Sequence, residues 1–557
     1  MTRLTRKARR ISRGIKPRLL PKTALGILTA GLIEQSEALR VGSNEAGQKR
    51  QRAMGRLAVR ERIARLCDPR SEFFELNLWS AWRMYPQVGE VSAAGVLTGV
   101  GIVHGRFCMI VANDAMVKAG AFFPATVKKV IRAQRIAARC NLPLVYLVDS
   151  AGVYLPMQDE VFPDEDDFGR IFRNNAVISA LGIPQYAAIM GNCVAGGAYL
   201  PALCDKILMT EQSQLALAGP ALVKAALGQT VDPESLGGAA MHAEISGTVD
   251  FVEKDDDACL KRLRALIALL PKVELPPAGS PLNHRSNAPA IAATDVYSIF
   301  PEDGRVGYDA HDLLRCFIDR DSMQEYKAAY GKTLLCAYAR IAGRSVGIVA
   351  NQHTLARTPR EGTQIGGVIY HDSADKAARF VMDCSQSGLP LVFVQDVQGF
   401  MVGRDSEQAG IIRSGAKLVN AVSNATVPKI TLIVGGSFGA GNYALCGKAF
   451  DPHFVFAWPN ARYAVMGAEQ ASQTLLSLAK RQAERSGQPL SPEQLKHLHE
   501  TIAEDYTQQT DIRYGAARGW VDAIIAPHTT RQMLITALQL ATRPPPPGGF
   551  RAGVIQV

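Results

Sequence analysis

Two glycine-rich segments carry the residue types best suited to chemistry in this sequence. The first spans residues 191–199 and reads Gly-Asn-Cys-Val-Ala-Gly-Gly-Ala-Tyr, between an apolar run that ends at Met190 and a helix-like stretch. The adjacent Gly196 and Gly197 would let backbone N–H groups face a cleft without obstruction by side chains. That arrangement suits an oxyanion hole or an anion site. Taken alone, it is more typical of a tight strand-to-helix turn that needs glycine for packing.

The second segment changes this interpretation. Residues 435–443 read Gly-Gly-Ser-Phe-Gly-Ala-Gly-Asn-Tyr, follow an apolar run that ends at Val434, and again lead into a helix-like stretch. Two similar turns favour a functional role, because a reaction that stabilises two different carbonyl-like oxygens needs two such sites.

The second segment also matches the Gly-x-Ser-x-Gly nucleophile elbow of hydrolases, with Ser437 as the nucleophile. Possible histidine partners follow later in the chain, at His453, His497, His499 and His528. We discount a hydrolase because the corresponding position of the first segment, near Cys193, does not repeat the nucleophile. The glycine patterns of dinucleotide-binding and P-loop proteins are also absent from the sequence, so nucleotide hydrolysis is not supported.

An internal duplication relates the two segments. Sliding the sequence against itself aligns three further stretches in the same order, namely residues 104–113 with 342–351, 142–149 with 389–396, and 182–191 with 426–435. Collinear matches of this kind predict two copies of one fold. The Pro-, Ala- and Asn-containing stretch from Pro276 to Ala293 is the predicted boundary, which gives an N-terminal domain over 23–280 and a C-terminal domain over 294–557.

Alternating strands and helices must position the glycine segments. Strands are predicted at 144–148, 185–190, 391–395 and 429–434, and helices at 127–138 and 373–385. This alternation predicts an α/β fold with parallel sheets and crossover helices. Ligands in such sheets bind beyond the carboxyl ends of the strands, where both glycine segments lie. Asp149 and Asp396, which correspond in the duplication, are expected to cap turns there.

Composition restricts the class of protein. The chain has 557 residues, of which 47% are hydrophobic and 20% charged, and no apolar run is long enough to span a membrane. The net charge is +11, but nine of the 62 Lys and Arg residues lie within residues 1–22, which leaves 53 basic against 51 acidic residues. We interpret residues 1–22 as a basic tail rather than a transit peptide or a nucleic-acid arm. The ten cysteines show no Cys-x-x-Cys pair and are expected in the core, with no metal site.

Seven stretches, distributed from Gly55 onward, agree with one known family. They are residues 55–62, 110–118, 158–168, 399–403, 415–417, 435–447 and 458–462. In these stretches the chain resembles the carboxyltransferase β subunits of biotin-dependent acyl-CoA carboxylases. The last three are most similar to the branch that carboxylates 3-methylcrotonyl-CoA or geranyl-CoA. The resemblance implies two tandem crotonase-like domains of the ClpP/crotonase superfamily.

The resemblance also implies roles for the two glycine segments. In the N-terminal domain, which would bind acyl-CoA, amides around Gly196 and Gly197 would stabilise a thioester enolate, with Ala195, Ala198 and Lys118 at the substrate. The C-terminal domain would receive carboxybiotin. There the catalytic amides would be those of Gly439, Ala440 and Gly441, and the biotin-binding residues would be Gly399, Phe400, Asn442 and Tyr443.

Some of these assignments have plain structural alternatives. Lys118, Lys128, Lys129 and Arg132 would suit CoA phosphates, but the spacing of the last three is more typical of a solvated helix face. Phe400 would line a biotin pocket or equally serve as a core aromatic residue.

The sequence contains no Ala-Met-Lys-Met biotin attachment site, so biotin is expected on a separate subunit. The resemblance implies an α subunit with biotin carboxylase and carrier domains, and a β hexamer within an α6β6 complex, located in the cytoplasm or, in a eukaryote, in the mitochondrial matrix. Alternative functions are a propionyl- or acetyl-CoA carboxylase β subunit and a biotin-dependent acyl-CoA decarboxylase subunit. A nucleic-acid-binding module acting through the basic tail is the non-enzymatic alternative.

Overall fold

The structure is a computed structural model, and it describes most of the chain. The described residues are 20–41, 45–162, 164–217, 223–224, 230–271, 286–301, 306–358, 362–467, 476, 479–480, 483, 491–544 and 553–554. Residues 1–19 of the predicted basic tail and residues 276–285 of the predicted boundary lie outside this set.

The N-terminal half forms one eight-stranded sheet. Its strands are β1 (Phe74–Leu76), β2 (Val96–Val103), β3 (Arg106–Asn113), β4 (Leu144–Ser150), β5 (Gln185–Val194), β6 (Lys206–Thr210), β7 (Gln214–Ala216) and β8 (Phe251–Glu253). The helices that accompany it are α1 (Ala24–Val41), α2 (Glu45–Ala53), α3 (Val59–Leu66), α4 (Pro124–Arg139), α5 (Phe168–Ala180), α6 (Tyr199–Ala202), α7 (Pro233–Gly237), α8 (Ala239–Glu244) and α9 (Asp256–Ala268).

The C-terminal half forms a second eight-stranded sheet and two short two-stranded ribbons. The strands are β9 (Gln324–Tyr326), β10 (Leu334–Ile341), β11 (Arg344–Asn351), β12 (Ala356–Thr358), β13 (Gly362–Gln364), β14 (Val368–Ile369), β15 (Leu391–Val397), β16 (Gly399–Phe400), β17 (Lys429–Phe438), β18 (Phe454–Ala457), β19 (Arg462–Ala464) and β20 (Ala523–Ile524). The helices are α10 (Val296–Ile299), α11 (Ala310–Arg315), α12 (His371–Gln386), α13 (Arg404–Gln408), α14 (Ile411–Asn424), α15 (Gly439–Ala444), α16 (Pro492–Thr510), α17 (Ile512–Ala517) and α18 (Thr530–Ala541).

The two large sheets have the same topology. The first runs β1-β2-β3-β4-β5-β6-β8 with β7 attached to β5, and the second runs β9-β10-β11-β15-β17-β18-β20 with β19 attached to β17. In each, the first two pairings are antiparallel and the remaining pairings are parallel. The α/β class is therefore confirmed, but the prediction of purely parallel sheets is wrong, because β1, β2, β9 and β10 lie antiparallel at one edge.

Strand register matches the sequence offsets. Leu144 pairs with Gln185 in the first sheet, and Leu391 pairs with Lys429 at the corresponding place in the second. The predicted helices at 127–138 and 373–385 are α4 and α12, each of 16 residues. Strands β5 and β17 continue four residues beyond the predicted ends at Met190 and Val434. They continue because their glycines and small residues still pair, with the short strands β7 and β19.

The two halves share one continuous core. A single cluster of buried apolar residues joins β4 and α4 of the first half to β10, β11, β17 and β18 of the second. Phe74 of β1 packs edge-on against Phe454 of β18, with ring centroids 5.9 Å apart. Arg132 of α4, also buried, makes a bidentate pair with Asp522 just before β20. Among the described residues, no helix is both long and apolar enough to cross a membrane.

Candidate functional site

The candidate site begins with two aspartates at corresponding strand ends. Asp149 is the penultimate residue of β4 and Asp396 that of β15, and at both residues the register of pairing with the next strand shifts. A bulge re-aims the side chain at the irregularity. Asp149 Oδ1 accepts a hydrogen bond from the Asn192 amide at 3.2 Å, and Asp396 Oδ1 accepts one from the Gly436 amide at 2.6 Å. Each aspartate therefore braces the first part of a glycine segment, which is still extended strand here and not the turn that the sequence predicted for it to cap.

The first glycine of each segment makes room for this aspartate. A Cβ atom on Gly191 would overlap the Asp149 carboxylate, and a Cβ atom on Gly435 would overlap that of Asp396. Any larger residue would push the carboxylate away from the amide that it accepts from. The two positions thus need glycine for steric reasons, independently of backbone dihedral angles.

The aspartate of the N-terminal half is paired with a buried arginine. Arg62 of α3 is 2% exposed and reaches Asp149 Oδ2 at 3.2 Å, Asp256 Oδ2 at 2.8 Å and the Met190 carbonyl at 2.9 Å. Burial raises the pKa of Asp149, although Arg62 and Arg56 act in the opposite direction. The arginine therefore ties the end of β4, the end of the apolar part of β5 and the start of α9 into one unit.

The aspartate of the C-terminal half has two aromatic ring partners instead. The Tyr308 hydroxyl donates to Asp396 Oδ2 at 3.0 Å, and His353 Nε2 lies 3.1 Å from the same oxygen. The two rings stack with centroids 4.9 Å apart and planes 6° apart. Burial lowers the pKa of His353, but its hydrogen bonds to the Asp396 carboxylate and carbonyl and the charge of that carboxylate together outweigh burial, so the net shift of the pKa is upward.

Each glycine segment then turns into a short helix. Residues Ala195–Ala198 form a 3-10 turn that leads into α6, and α15 begins at Gly439 without a side-chain cap at Phe438. The first amides of a helix have no partner within it, so those of Gly439, Ala440 and Gly441 have no hydrogen-bond acceptor inside α15. Gly439 has φ of +53°, and a Cβ atom there would lie 2.8 Å from the Val465 carbonyl oxygen.

Both helix starts lie close to the loop that follows the aspartate. A Cβ atom on Gly197 would lie 3.7 Å from the Cα of Gly152, in ordinary contact. A Cβ atom on Gly441 would lie 2.6 Å from Val397 and 3.3 Å from the Cα of Gly399. The first helix start thus faces the Gly152 backbone alone, whereas Gly441 faces the Val397 side chain as well as the Gly399 backbone, and the C-terminal contact is the tighter.

The structure removes Ser437 from consideration as a nucleophile. Ser437 is fully buried at the end of β17, donates to Gln395 Oε1 at 2.6 Å and accepts from Asn442 Nδ2 at 2.8 Å. Asn442 also accepts from the Tyr463 hydroxyl at 3.2 Å. The amide of Asn442 therefore holds α15 against β17, and its polar atoms are occupied by protein groups.

The remaining predicted biotin residues lie around α15. Tyr443 is half exposed, and its ring lies 5.7 Å from that of Phe450. Gly399 and Phe400 form β16, which pairs with β14, and the half-buried Phe400 ring packs against Gly415 of α14. The Phe400 side chain is thus partly exposed and fills the space between its own strand, β16, and helix α14.

The predicted CoA-phosphate residues separate in the structure. Lys118 is exposed on a 3-10 turn that is fastened to the end of β4, because the Ser150 hydroxyl donates to the Gly120 carbonyl at 2.7 Å. Lys128 is exposed on α4. Lys129 and Arg132 are buried and bind protein groups, the Ala93 carbonyl and Asp522 respectively. For Lys129 and Arg132, the prediction of a CoA-phosphate site and the prediction of a solvated helix face are therefore both wrong.

Sequence reasoning missed the partners of the two aspartates. Arg62 lies inside the motif at residues 55–62, and His353 follows the duplicated Asn351 by two positions. Both residues lie in or beside stretches that the sequence analysis singled out, but only the contacts in the structure show that they bind the two aspartates. Among the described residues, no group of three or more His, Cys, Asp or Glu side chains is placed to hold a metal ion.

Comparisons with known proteins were made on sequence and on structure. The family model of the carboxyl transferase domain matches residues 50–546. The chain is 45% identical over 519 residues to the biotin-dependent 3-methylcrotonyl-coenzyme A carboxylase beta1 subunit of Mycobacterium tuberculosis, covering 93% of this chain and 94% of that one. It is 41% identical over 523 residues to the mitochondrial methylcrotonoyl-CoA carboxylase beta chain of Dictyostelium discoideum, covering 93% and 86%. Its fold is similar to the geranyl-CoA carboxylase beta subunit of P. aeruginosa, with a TM-score of 0.82, 32% identity, and coverage of 95% and 96%.

Proposed function

This chain belongs to the family of carboxyl transferase domains, and we propose from this premise that its two glycine turns serve two halves of one reaction. It is a carboxyltransferase subunit of a biotin-dependent acyl-CoA carboxylase. The reaction moves a carboxyl group from carboxybiotin to a branched 3-methyl-enoyl-CoA, either 3-methylcrotonyl-CoA or geranyl-CoA. We further propose that the two halves, residues 23–280 and 294–557, are crotonase-like copies of one duplicated domain.

In the N-terminal half, the amides of Gly196 and Gly197 hold the thioester oxygen of the acyl-CoA. Loss of a substrate proton places negative charge on that oxygen as the enolate forms. Donors aimed at the developing charge lower the barrier by about 2.7 to 4 kcal/mol each in comparable oxyanion holes. Ala195 and Ala198 border the thioester, and Lys118 lies on the turn beside the end of β4, at the edge of this site.

In the C-terminal half, the amides of Gly439, Ala440 and Gly441 hold the ureido oxygen of biotin. When bound, carboxybiotin would supply CO2 for carboxylation of the enolate and, once decarboxylated, a ureido nitrogen able to accept the substrate proton. The fit rests on the close approach of Gly441 to the Val397 side chain and the Gly399 backbone, which leaves no room for a side chain at position 441. Phe400 and Tyr443 border the ring, and Asn442 positions α15 rather than touching biotin.

The observation that carries this proposal is the matched bracing of both turns. Asp149 and Asp396 hold corresponding amides of two glycine segments in sheets of identical topology. One turn alone would fit a packing role. Two turns that are held in the same way in one chain fit a reaction in which negative charge develops on two oxygens, that of the thioester and that of the biotin ureido group. Such a reaction needs no side-chain base.

The proposal includes a partner and an assembly. Biotin arrives on an α subunit with biotin carboxylase and carrier domains, and the β chains assemble as a hexamer within an α6β6 complex. We place the protein in the cytoplasm, or in the mitochondrial matrix if its source is eukaryotic. The relative from Dictyostelium discoideum is a mitochondrial beta chain, which supports the second location.

The test is a reconstituted assay of this chain with its α subunit, ATP and bicarbonate. We expect carboxylation of 3-methylcrotonyl-CoA or geranyl-CoA to exceed that of propionyl-CoA and acetyl-CoA. If propionyl-CoA or acetyl-CoA were preferred, the chain would instead be a propionyl- or acetyl-CoA carboxylase β subunit. Decarboxylation of a carboxylated CoA without ATP would identify a decarboxylase, and carboxylation of none of the substrates would overturn the proposal.

Deleting residues 1–22 separates the enzyme from the nucleic-acid alternative. We expect the truncated chain to keep full carboxylation activity. A nucleic-acid module predicts instead a salt-sensitive affinity that is lost with the tail.

A further inference from the structure

Two left-handed turns follow one another along the chain beside the candidate site of the N-terminal half. The first turn spans residues 93–95 and the second spans residues 118–120, and φ lies between 46° and 71° at all six positions. Each turn has two residues other than glycine before its glycine. Such residues adopt the left-handed region rarely and singly, because Cβ then approaches the following carbonyl oxygen. The two turns are therefore strained, and other groups must hold them.

Every carbonyl of the first turn accepts a hydrogen bond from outside the turn. Lys129 Nζ donates to the Ala93 carbonyl at 2.9 Å, and the Thr126 hydroxyl donates to the Ala94 carbonyl at 2.6 Å. The last carbonyl of the turn accepts from the Asp114 amide at 2.9 Å. Lys129 and Ala93 are only 3% and 4% exposed, so water does not replace the lysine at this carbonyl. Helix α4 thus supplies two of the three donors.

The Asp114 amide begins a connecting segment, residues 114–122, which contains the second turn. The connecting segment packs against the first turn. A Cβ atom on Gly95 would lie 3.5 Å from Val117 Cγ1 and 3.7 Å from the Ala121 carbonyl oxygen, in ordinary contact. A shift of the first turn would therefore move the connecting segment.

The connecting segment is in turn hydrogen-bonded to the loop after β4. The Ala119 carbonyl accepts from the Ala151 amide at 3.0 Å, and the Phe122 amide donates to the Gly152 carbonyl at 2.8 Å. Gly152 is the residue whose backbone faces Gly197. The connecting segment thus holds the loop that borders the glycine segment of the N-terminal half.

The C-terminal half has the same lysine but not the same turn. Helices α4 and α12 correspond residue by residue, since both have 16 residues and both begin after an aromatic residue whose amide donates to a hydroxyl at the third helical position. The sixth residue is Lys129 in α4 and Lys376 in α12, and both are buried. Of residues 331–333, which precede β10 as 93–95 precede β2, only Gly331 has a positive φ. Within the described part of the chain, Lys376 Nζ has no hydrogen-bond partner.

We propose that Lys129 is a positioning residue for the acyl-CoA site, which holds the two left-handed turns so that the loop at Gly152 lies in register with the Gly197 amide. Lys129 contacts no reactant. It acts through the Ala93 carbonyl, then the connecting segment, then the loop. This role rests on the proposed function, because the loop matters to catalysis only if acyl-CoA binds at Gly197.

The first measurement is hydrogen exchange of the full chain, read by mass spectrometry without substrate. In Lys129→Met we expect the amides of residues 114–122 to exchange at least about tenfold faster than in the wild type, because the first turn has lost a charged donor. The matched control is Lys376→Met, which removes a buried lysine from the same position of the corresponding helix. It should leave exchange at 114–122 unchanged. Wild-type exchange in Lys129→Met, or equal acceleration in both variants, would overturn the inference.

The second measurement is steady-state carboxylation with the α subunit. Misplacement of catalytic donors by about 1 Å can cost about 100-fold in rate, so kcat of Lys129→Met should fall about 10- to 100-fold. KM for the acyl-CoA should change less than kcat, because Lys129 does not touch the substrate. Lys376→Met should keep the wild-type kcat. A rise in KM with an unchanged kcat would contradict a positioning role.

A rescue distinguishes the loss of the turn from a simple loss of packing around position 129. Glycine adopts the left-handed region without steric cost. Ala93→Gly in the Lys129→Met background should therefore recover at least about fivefold in kcat, which corresponds to the lower limit of that cost for one residue. A packing defect at position 129 would not respond to this change, so failure of the rescue would overturn the inference.

A second pair of variants tests the same turn if Lys129→Met does not fold. Thr126→Val removes the hydroxyl that the Ala94 carbonyl accepts from, and it should lower both kcat and the protection of residues 114–122, whereas Thr126→Ser should retain both. Wild-type behaviour of Thr126→Val would overturn the inference. Faster exchange at 114–122 in a chain that carboxylates no acyl-CoA would overturn the proposed function and leave the coupling between Lys129 and the connecting segment intact.

Discussion

The Asp396 carboxylate and the Gly436 amide are joined by a 2.6 Å hydrogen bond at the point where β15 and β17 lose their regular register. Tyr308 and His353 contact the other carboxylate oxygen. The aspartate therefore couples a buried pair of stacked rings to the backbone that leads to Gly439. The side chain at this position thereby orients the glycine segment through its backbone.

Replacing Asp396 by asparagine should slow the reaction more than it destabilises the fold. Asparagine retains an oxygen for the Gly436 amide, but its NH2 group replaces the acceptor that Tyr308 and His353 face. Misplacement of catalytic donors by about 1 Å can cost about 100-fold in rate. We expect kcat for carboxylation to fall about 10- to 100-fold with a smaller change in KM. Asp405→Asn, at a side chain 93% exposed, is the control and should keep the wild-type kcat.

The two helix-start glycines should respond differently to alanine. At Gly441 a methyl group would lie 2.6 Å from Val397, whereas at Gly197 it would have only an ordinary contact with Gly152. Gly441→Ala should lower the free energy of unfolding by about 1 to 3 kcal/mol, as overpacking does. Gly197→Ala should keep the stability but raise KM for acyl-CoA. Urea unfolding and steady-state kinetics of both variants check this, and equal losses of stability would contradict it.

The stability contributed by His353 should depend on pH. Its pKa in the folded chain is raised above 6.5, so its stabilisation is fully present below about pH 6 and is lost as pH rises through the folded pKa. Unfolding of His353→Gln should therefore differ from the wild type more at about pH 6 than at about pH 9.

His453 is a control for which we expect the opposite dependence of stability on pH. Burial, with Arg139 and Arg132 nearby, lowers its pKa to about 4. Its neutral form is favoured in the folded chain, so the wild type loses stability as pH falls below about 6.5. His453→Gln should relieve that acid-side loss. The same pH trend in both variants would contradict the two assignments.

Arg62 and Arg65 should differ sharply in their effect on stability. Removing Arg62 leaves Asp149 and Asp256 buried without their shared cation, and breaking a buried pair costs about 3 to 5 kcal/mol. Arg65 lies one turn along α3, is 45% exposed and pairs with the exposed Asp257. Exposed pairs contribute about 0 to 1 kcal/mol. Denaturant unfolding of Arg62→Ala and Arg65→Ala measures the contrast, and similar losses would contradict the role given to Arg62.

Much of the site was predictable because its signals are local in sequence. The strand runs, the two glycine segments and Asp149 with Asp396 all lie within matched stretches of about ten residues. The elbow interpretation of Ser437 was correctly discounted, and its burial explains why. The ends of β5 and β17 were misplaced because glycine signals a turn in sequence, whereas here the pairing with β7 and β19 keeps the chain extended.

The sequence by itself predicted two copies of one α/β unit, each with a glycine segment beyond an aspartate. Only the tertiary structure decided what those aspartates contact. Arg62 lies 87 residues from Asp149, and Tyr308 lies 88 residues from Asp396. It also decided that Arg132 is buried against Asp522 while Arg379, its counterpart, is exposed. Contacts of this kind join segments far apart in the chain, so no local pattern of residues encodes them.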